Sequence, residues 1–299
     1  MRILITGASG QLGQALAQKL APVAELSLAT RQEIDLSKPE TIAEKLDWIS
    51  PELIVNAAAY TAVDRAEDEA GLAFTVNAAA VGVLGDWVAR KGVPLIHFST
   101  DYVFDGKASE PYCEQQPVNP LSVYGKSKAE GERLLFESAA PCLVVRTAWV
   151  YAPAGKNFLR TIARLACERE ELAVVGDQVG TPTASFQIAE FVHHIVSEGP
   201  ASCAGLFEKS SRLVHFTAAG WTTWHGFASA IVAGMQRRGI AVKASKVRDI
   251  PNSDYPTRTT RPQFSRLSLK RLDQVFDFHP DSWERALDKV LDEMFRLKI

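Results

Sequence analysis

The chain has 299 residues, of which 46% are hydrophobic and 23% are charged, as in an ordinary globular protein of one large or two intimate domains. Its formal net charge of −2 gives no reason to expect a nucleic acid or an anionic membrane as a partner. The first apolar run ends at Gly7, too early for a signal peptide, and no apolar stretch reaches the roughly 18 residues of a membrane helix. We therefore expect a soluble, cytoplasmic protein.

The cysteines and histidines form no metal-binding pattern. The cysteines are widely spaced without a CxxC pair, and the His193–His194 pair lacks further ligands at metal spacing. We expect no metal site. We also expect free thiols in a reducing compartment at Cys113, Cys142, Cys167 and Cys203.

The first half of the chain alternates apolar strands with amphipathic helices. Strands are predicted at Arg2–Thr6, Leu26–Ala29, Leu53–Asn56, Val93–Ser99 and Cys142–Arg146. Helices are predicted at Gln11–Ala21, Pro39–Ile49 and Asp68–Arg90, and a further helix carries Tyr124 and Lys128 and continues over Ala129–Ser138. This βαβ alternation is typical of an α/β fold with a Rossmann-type, doubly wound, mostly parallel sheet.

The second half of the chain loses this alternation after Tyr151. Helices are predicted at Phe158–Glu168, Phe186–Ser197, Phe227–Arg238 and Ser282–Leu297, and the proline-containing stretch Asp249–Leu269 is predicted to be a loop. We predict a dinucleotide-binding domain over 1–149 and a smaller C-terminal substrate domain over 150–299, with later helices able to pack back on the sheet.

A glycine-rich turn joins the first strand to the first helix. Gly7, Gly10 and Gly13 are spaced GxxGxxG, which differs from the common GxGxxG fingerprint. Glycines let the backbone turn tightly and approach a pyrophosphate, which the free N–H groups of the following helix can bind. The turn therefore predicts a dinucleotide site; the alternative is a turn that needs glycine for its conformation alone.

The end of the second strand bears on the choice of cofactor. An acid about 20 residues after the glycine turn usually binds the ribose hydroxyls of NAD, but Thr30 and Arg31 stand near that place. Arginine can hold a 2′-phosphate, which favours NADPH, with NADH possible; the alternative is an exposed surface charge. Asp35 either accepts a hydrogen bond from the adenine amino group or caps the helix that begins nearby.

Small residues follow the third strand in the run Asn56, Ala57, Ala58 and Ala59. At the carboxyl edge of a parallel sheet they would let a cofactor lie against the backbone. Close packing of a helix on the sheet would favour the same residues.

Tyr124 and Lys128 stand four residues apart, on one face of their predicted helix. A phenol with a pKa of about 10 is a poor acid at neutral pH, and a nearby ammonium lowers that pKa. We predict that Tyr124 protonates the alkoxide formed when hydride reaches a carbonyl, and that Lys128 assists it and holds the nicotinamide ribose. An exposed helix surface would carry the same pair by chance.

A hydroxyl pair, Ser99 and Thr100, ends the next strand. Neighbouring strand residues point to opposite faces, and we assign to Thr100 the polarisation of the substrate carbonyl. Asp101 either touches the substrate or stabilises the turn. His97, inside the strand, is interpreted as a core histidine with satisfied hydrogen bonds.

These motifs together resemble the extended short-chain dehydrogenase/reductase family, and within it the dTDP-4-dehydrorhamnose reductases. The resemblance covers nearly the whole chain, and its middle strings are more specific than the glycine string. It is carried by Gly7–Gly13, Val55–Asp64, Ser99–Gly106, Pro120–Lys128, Arg146–Tyr151, Asn157–Phe158, Asp177–Thr183, and Arg261–Pro262 with Ser265 and Leu267.

The resemblance implies a reaction and a set of site residues. Hydride would pass from NAD(P)H to C4 of dTDP-4-dehydro-β-L-rhamnose, giving dTDP-β-L-rhamnose in the last step of dTDP-L-rhamnose synthesis. Tyr124 would be the proton donor, Lys128 its partner and Thr100 the polarising group. The cofactor would contact Gly10, Gln11, Leu12, Asp35, Leu36, Ala59, Tyr60 and Thr61. The sugar nucleotide would contact Thr100, Asp101 and Trp149.

Two residues bear on the diphosphate and on the oligomeric state. Arg261 is a candidate for the substrate diphosphate, because a guanidinium matches phosphate geometry; a surface salt bridge is the alternative. Magnesium-bridged dimers of the family use glutamates, and one of those positions is Ala15 here, although Glu190 is present. A monomer and a homodimer both stay open.

Two other functions fit the same motifs. One is a different sugar-nucleotide 4-keto reductase or an epimerase on the same scaffold, because a fold does not determine the function. The other is a non-catalytic, NADP-binding regulatory subunit, against which the intact Thr100, Tyr124 and Lys128 argue.

Overall fold

The structure, a computed structural model, describes residues 1–197 and 199–296. The strands are β1 Arg2–Thr6, β2 Glu25–Ala29, β3 Leu53–Asn56, β4 Leu95–Thr100, β5 Cys142–Thr147, β6 Val150–Tyr151, β7 Glu171–Val175, β8 Val179–Gly180, β9 Thr183–Ala184, β10 Leu213–His215, β11 Thr222–Thr223 and β12 Lys246–Ile250. The helices are α1 Gln11–Leu20, α2 Ile42–Ile49, α3 Val63–Ala66, α4 Ala70–Phe74, α5 Ala80–Lys91, α6 Val123–Glu137, α7 Phe158–Glu168, α8 Ser185–Val196, α9 Pro200–Lys209, α10 Trp224–Arg237, α11 Lys270–Phe276 and α12 Trp283–Arg296.

A six-stranded parallel sheet in the order β2-β1-β3-β4-β5-β10 forms the centre of the molecule. The predicted Rossmann-type α/β fold is confirmed. From β1 the chain adds β2 on one side of the sheet and then β3 on the other side. This change of direction leaves a crevice between the carboxyl ends of β1 and β3. Ligands of open α/β sheets bind at such a crevice.

Helices cover both faces of this sheet, because successive strand residues point to opposite sides. Ile3 and Ile5 of β1 are buried in one core with side chains of α1, α8, α9 and α11. Leu4 lies in a second core with side chains of α2, α5 and α6. The helix α6, which carries Tyr124 and Lys128, therefore covers the same face as Leu4.

A third core lies in the second half of the chain. It is built from α7, α10 and α12, and includes the buried side chains of Tyr151, Phe227 and Trp283. Three two-stranded sheets accompany it: parallel pairs β6–β9 and β7–β12, and the antiparallel pair β8–β11.

The chain crosses between these cores more than once. After Trp149, β10 joins the central sheet, and Phe191 of α8, Phe207 of α9 and Leu272 of α11 enter the core that contains Ile3. The sheet unit therefore includes elements from both halves of the sequence, and the division into 1–149 and 150–299 stays a prediction.

The predicted helix Asp68–Arg90 is observed from Ala70 to Lys91, with a π-helical turn at Thr75–Ala79. This helix has 22 residues and is long and apolar enough to cross a membrane, with a mean hydropathy of 1.5 over an 18-residue window. The expectation that no stretch is long enough was therefore wrong. Half of the tested window is buried, and Val81, Leu84 and Val88 pack in the core beneath the sheet, which accounts for its apolar character.

Other differences concern element ends and the second half. The predicted loop Asp249–Leu269 begins inside β12, which pairs with β7. The helix predicted from Pro39 starts as a 3₁₀ turn, Pro39–Thr41, before α2. The last predicted helix is observed as Trp283–Arg296, and its predicted end, Leu297, lies outside the described residues.

Candidate active site

The glycine turn forms a cradle at the crevice of the sheet. Gly7 has a φ of +64°, and a Cβ there would lie 2.8 Å from the backbone of Ala58. A Cβ on Gly13 would lie 2.7 Å from the Cα of Ala8 and would overlap the Gly7 carbonyl oxygen. Gly10 immediately precedes α1, whose first N–H groups have no intrahelical partner by geometry. The cradle therefore fits a pyrophosphate, which would lie against bare backbone at a helix N-terminus.

Gln11 connects this turn to the second half of the chain. Its Oε1 accepts a hydrogen bond of 2.7 Å from Nδ2 of Asn157, the residue that caps α7. Leu12 packs against the core that contains Ile3. The two predicted cofactor residues thus differ in orientation, with Gln11 at the boundary between the cores and Leu12 anchoring α1.

Arg31 lies beyond the end of β2 with its side chain 75% exposed. Its Nε is 3.3 Å from Oδ1 of Asp35, and its Nη2 donates to Oγ of Ser37 at 3.4 Å. Asp35 accepts hydrogen bonds from the backbone N–H and hydroxyl of Ser37, which lower the pKa of its carboxyl. Asp35 therefore closes a local turn and does not cap a helix. Leu36 is buried in the core under α2.

The small residues after β3 line the opposite side of the crevice. Ala57, Ala58 and Ala59 are half-buried, and the backbone of Ala58 lies against Gly7. Tyr60 donates its N–H to Oδ1 of Asn77 at 2.9 Å, whereas Thr61 is exposed. Asn77 also donates through Nδ2 to Oγ of Ser127 at 3.0 Å. The π-helical turn thus ties the loop after β3 to the helix α6.

Tyr124 and Lys128 are both buried on α6, which begins where the Ser122 hydroxyl accepts from the N–H of Gly125 at 3.0 Å. The Thr100 hydroxyl lies close enough to the phenol of Tyr124 to lower the pKa of that phenol, although burial has the larger effect. Nζ of Lys128 donates to the carbonyl oxygen of Phe98 at 2.7 Å. The three predicted catalytic residues therefore come together at the carboxyl end of β4.

The phenol is a weaker acid than predicted. Burial raises the pKa of Tyr124 to about 12, and the charge of Asp101 also raises it, whereas the nearby Thr100 hydroxyl lowers it by less. Lys128 is not among the groups that shift it, because its amine is directed to Phe98 and His97. The expected lowering of the Tyr124 pKa by Lys128 was therefore wrong.

Asp101 is a buried acid next to these hydroxyls. Burial raises the pKa of its carboxyl to about 6, and the nearby hydroxyls of Ser265 and Thr100 lower it by less. Oδ1 accepts from the Thr100 hydroxyl at 3.0 Å. Among the described residues, Oδ2 of Asp101 and the hydroxyl of Ser99 have no hydrogen-bond partner. A buried oxygen without a partner is able to bind a ligand hydroxyl.

Arg261 pairs with Asp64, through an Nη2–Oδ2 distance of 3.1 Å. Burial raises the pKa of Tyr102, and the charge of Arg261 opposes that rise. The ring of Tyr102 meets that of Tyr124 edge-on at 5.6 Å. Nε of Arg261 and Oδ1 of Asp64 are buried without partners in the described part of the chain. Arg261 therefore forms a salt bridge, as in the alternative interpretation, and it lies beside the site.

Trp149 has a left-handed backbone, with a φ of +48°. Its ring stacks on that of Trp224, with centroids 3.5 Å apart and planes 6° from parallel. A Cβ on Gly180 would lie 2.5 Å from the indole. A backbone conformation that is costly for a bulky residue is held here by packing, as often occurs at ligand sites.

Sequence reasoning missed the contacts that two polar groups make with the site. Nε2 of His97 is 3.2 Å from Nζ of Lys128, and Asn77 connects α6 to Tyr60. His97 has hydrogen-bond partners inside the core, as interpreted, but one of them is the site lysine. The signal that could have found it is the polar residue on β4 that points away from Phe98 and toward α6.

Within the described part of the chain, one group of exposed side chains has ligand atoms within 4.8 Å of one another and was not anticipated: Asp273, Asp277 and His279. It lies at the end of α11, outside the catalytic cluster. Nε2 of His279 is 2.9 Å from Oδ1 of Asp273, a contact that accounts for the proximity without an ion.

The fold and this site define a class of protein. A parallel sheet with a glycine cradle at its crevice, and a buried tyrosine and lysine beside a threonine hydroxyl, are the parts of a nicotinamide-dependent oxidoreductase of the short-chain type.

The chain belongs to the family described as the RmlD substrate binding domain, whose model matches residues 1–296. It is 45% identical to a dTDP-4-dehydrorhamnose reductase of Burkholderia thailandensis, covering 96% of this chain and 97% of that protein. A crystal structure of such a reductase from Clostridium acetobutylicum is similar with a TM-score of 0.88 and 34% identity, covering 98% of this chain and 99% of that one. The reductase of Bacillus anthracis in complex with NADP has a TM-score of 0.86 and 30% identity, with the same coverage of both chains. The resemblance inferred from the motifs is confirmed.

Proposed function

We propose that this chain reduces the C4 carbonyl of dTDP-4-dehydro-β-L-rhamnose to give dTDP-β-L-rhamnose, with NADPH as the hydride donor. The observation that carries this proposal is the buried group of Thr100, Tyr124 and Lys128 at the carboxyl end of β4, with Lys128 one turn after Tyr124 on α6. The relatives named dTDP-4-dehydrorhamnose reductase support the substrate, and they match over nearly their whole length.

The proposed cofactor site runs along the crevice between β1 and β3. The cradle that Cβ atoms would fill supports a pyrophosphate at Gly7, Gly10 and Gly13. The proposed contacts also include Gln11, Leu12, Arg31, Asp35, Leu36, Ala57, Ala58, Ala59, Tyr60, Thr61, Tyr124 and Lys128. The NADP complex of the Bacillus anthracis relative and the exposed guanidinium of Arg31 both favour NADPH, with NADH possible.

In the proposed mechanism the bound nicotinamide supplies a hydride to the C4 carbonyl carbon. Tyr124 donates its phenolic proton to the carbonyl oxygen, which would otherwise become an alkoxide. The raised pKa of Tyr124 keeps the phenol protonated at neutral pH, so the proton is available at the start of each turnover. Thr100 lies beside the phenol and would donate to the carbonyl oxygen by turning its hydroxyl away from Asp101. The ammonium of Lys128 would hold the nicotinamide ribose. By turning from Phe98 toward that ribose, it would also bring its charge closer to the phenolate and stabilise it.

The substrate would lie at the carboxyl end of β4 and extend toward the second half of the chain. The unpartnered Oδ2 of Asp101 would accept from a sugar hydroxyl. Trp149 would present its indole to the sugar nucleotide. Arg261 would bind the diphosphate by releasing Asp64 and pairing with a phosphate oxygen instead. Its Nε, which has no partner among the described residues, could donate a second hydrogen bond to the phosphate.

We also propose that the protein works in the cytoplasm as a monomer or a homodimer, on a dTDP-sugar and without a nucleic acid or membrane partner. We propose that residues 1–149 bind the cofactor and that residues 150–299 bind the sugar nucleotide.

Light scattering after size exclusion, with and without magnesium, measures the oligomeric state. A mass that changes with magnesium would argue against the role of Ala15 in preventing a metal-bridged dimer.

The experiment that tests the function follows NADPH and NADH oxidation with dTDP-4-dehydrorhamnose generated in situ, and identifies the product. Oxidation with formation of dTDP-rhamnose supports the proposal. Turnover of a UDP-linked keto sugar instead, or a product formed without net cofactor oxidation, would replace it with another reductase or with an epimerase. Binding of NADPH without any turnover would favour a regulatory subunit. Arg31→Ala tests the choice of cofactor. We expect this variant to bind NADPH more weakly and to bind NADH with unchanged affinity.

A further inference from the structure

Three polar side chains form a buried row across neighbouring strands beneath α6. Thr6 of β1, Asn56 of β3 and His97 of β4 are register partners, so their side chains share one face of the sheet. Oγ1 of Thr6 is 2.6 Å from Oδ1 of Asn56, and Nδ2 of Asn56 is 2.9 Å from Nδ1 of His97. All three are at most 1% exposed, so the row exchanges no hydrogen bonds with bulk water.

The row ends at the amine of Lys128. Nζ of Lys128 lies 3.2 Å from Nε2 of His97 and 2.7 Å from the carbonyl oxygen of Phe98, both on β4. Lys128 is 2% exposed. The position of the amine on a flexible four-carbon stem is therefore set by two adjacent residues of one strand, and His97 supplies the side-chain half of that support.

Both ring nitrogens of His97 face a nitrogen atom, although a neutral imidazole carries a single N–H. Burial holds the pKa of His97 well below its usual value, and the charge of Lys128 lowers it further, so the ring is neutral. If Nδ1 accepts a hydrogen bond from the Asn56 amide, the ring proton is on Nε2. The Nε2–H group then donates to the lone pair of an uncharged Lys128 amine.

The charged form of Lys128 requires the opposite arrangement. An ammonium has no lone pair, so Nε2 must accept from it and the ring proton must move to Nδ1. The Asn56 amide then turns by half a rotation, so that its oxygen accepts from Nδ1 and its nitrogen donates to the Thr6 hydroxyl. Every atom of the row can play either part, because hydroxyl, amide and imidazole each carry donor and acceptor atoms.

We propose that His97 is a positioning residue of the reductase, and that it changes tautomer as Lys128 gains or loses its proton. The amine thereby keeps a hydrogen-bond partner at Nε2 in both charge states. This inference rests on the proposed function, in which Lys128 acts beside Tyr124. Burial lowers the pKa of Lys128 to about 8, while Glu132 on the same helix raises it by less. Arg146 of β5 in turn neutralises Glu132.

The direct test is nitrogen-15 NMR of the histidine side chains in the full-length protein, with His97→Gln used to assign the signal. We expect the protonated nitrogen of His97 to change from Nδ1 to Nε2 as the pH rises through about 8, without formation of an imidazolium. In Lys128→Met, the tautomer should not respond to pH in that range. A single tautomer in the wild type throughout, or an imidazolium signal, would overturn the proposal.

Kinetics provide a second readout that a purely structural role would not give. His97→Leu removes both ring nitrogens, and His97→Gln places an amide near the former Nε2. We expect kcat to fall about 10²-fold in the Leu variant, as for a misplaced catalytic group, with the Kd for NADPH and the KM for the keto sugar little changed. The Gln variant should recover most of that loss. Equal rates in Leu and wild type would contradict the proposal, whereas an inactive wild type would refute the proposed function and leave the NMR test standing.

Discussion

Glu132 and Arg146 form a fully buried, bidentate ion pair between α6 and β5, with oxygen–nitrogen distances of 2.9 and 2.6 Å. Arg146 also lies over the ring of Phe104, 5.1 Å from its centroid. Because Glu132 follows Lys128 by one helical turn, the pair anchors the catalytic helix to the sheet at the level of the site.

Removing the charge of Glu132 should destabilise the fold strongly. Glu132→Gln leaves the Arg146 guanidinium buried without a counter-charge, which typically costs about 3–5 kcal/mol. Glu168→Gln is the matched control, because the Arg164–Glu168 pair is exposed on α7 and such pairs contribute about 1 kcal/mol or less. Urea unfolding measures both. Similar losses in the two variants would contradict a structural role for the buried pair.

The fall of kcat/KM at alkaline pH should follow the loss of the proton from Lys128. Burial lowers the pKa of its amine to about 8, so the ammonium that assists Tyr124 is lost as the pH rises through that value. We expect kcat/KM for the keto sugar to fall above about pH 8. In Glu132→Gln, which removes the charge that raises this pKa, the fall should move to lower pH. If kcat/KM stays constant up to about pH 10.4, where free lysine titrates, Lys128 is not the group that causes the alkaline fall.

Tyr124→Phe should separate chemistry from binding. The phenol is buried, and only its hydroxyl is removed. We expect kcat to fall about 10²–10⁴-fold, the usual contribution of a general acid, with the Kd for NADPH unchanged. Stopped-flow measurement of a single turnover and fluorescence titration of NADPH give the two values. Turnover close to that of the wild type would reassign the proton donor.

The glycine cradle should tolerate no side chain at Gly13. A Cβ there would overlap the Gly7 carbonyl and approach the Cα of Ala8, so the turn has to open. We expect Gly13→Ala to lose about 1–3 kcal/mol of stability and to weaken NADPH binding. Gly71→Ala is the control, because a Cβ at that position on α4 would meet nothing within 4 Å. Normal NADPH affinity in Gly13→Ala would argue against a pyrophosphate at this turn.

Gly180 should control the position of Trp149. An added Cβ would lie 2.5 Å from the indole, so the ring has to move away from its stack on Trp224. We expect Gly180→Ala to raise the KM for the keto sugar about tenfold, equivalent to 1.4 kcal/mol, with NADPH affinity unchanged. Gly205→Ala on α9, where a Cβ meets nothing within 4 Å, provides the comparison. An unchanged KM would remove Trp149 from the proposed substrate contacts.

The first half of the fold was predictable because its signals are local. Buried strands such as Leu53–Asn56 and amphipathic helices such as Gln11–Leu20 are each specified by their own residues. The two-residue strands Val150–Tyr151 and Thr183–Ala184 exist only because they pair with each other, and no local pattern announces them. The helix Pro200–Lys209 was missed because its Ser, Ala, Cys and Gly residues give little amphipathic contrast.

The candidate site was predictable in its residues and less so in its electrostatics. Thr100, Tyr124 and Lys128 were found from motif order, and the structure brings them together. The direction of the Tyr124 pKa shift was wrong, because it depends on burial and on where Nζ points. The partner of His97 was missed because it depends on strand register and on the packing of α6 over β4.

The most direct test of the central claim is the fate of the hydride. The protein would be given dTDP-4-dehydrorhamnose and NADPH deuterated on the transferred position, and the sugar product would be analysed by NMR and mass spectrometry. The account predicts dTDP-rhamnose with one deuterium at C4 in the wild type, and almost none formed by Tyr124→Phe in the same time. Cofactor oxidation without deuterium at C4, or equal labelling by both proteins, would contradict the assignment of a reductase site to Thr100, Tyr124 and Lys128.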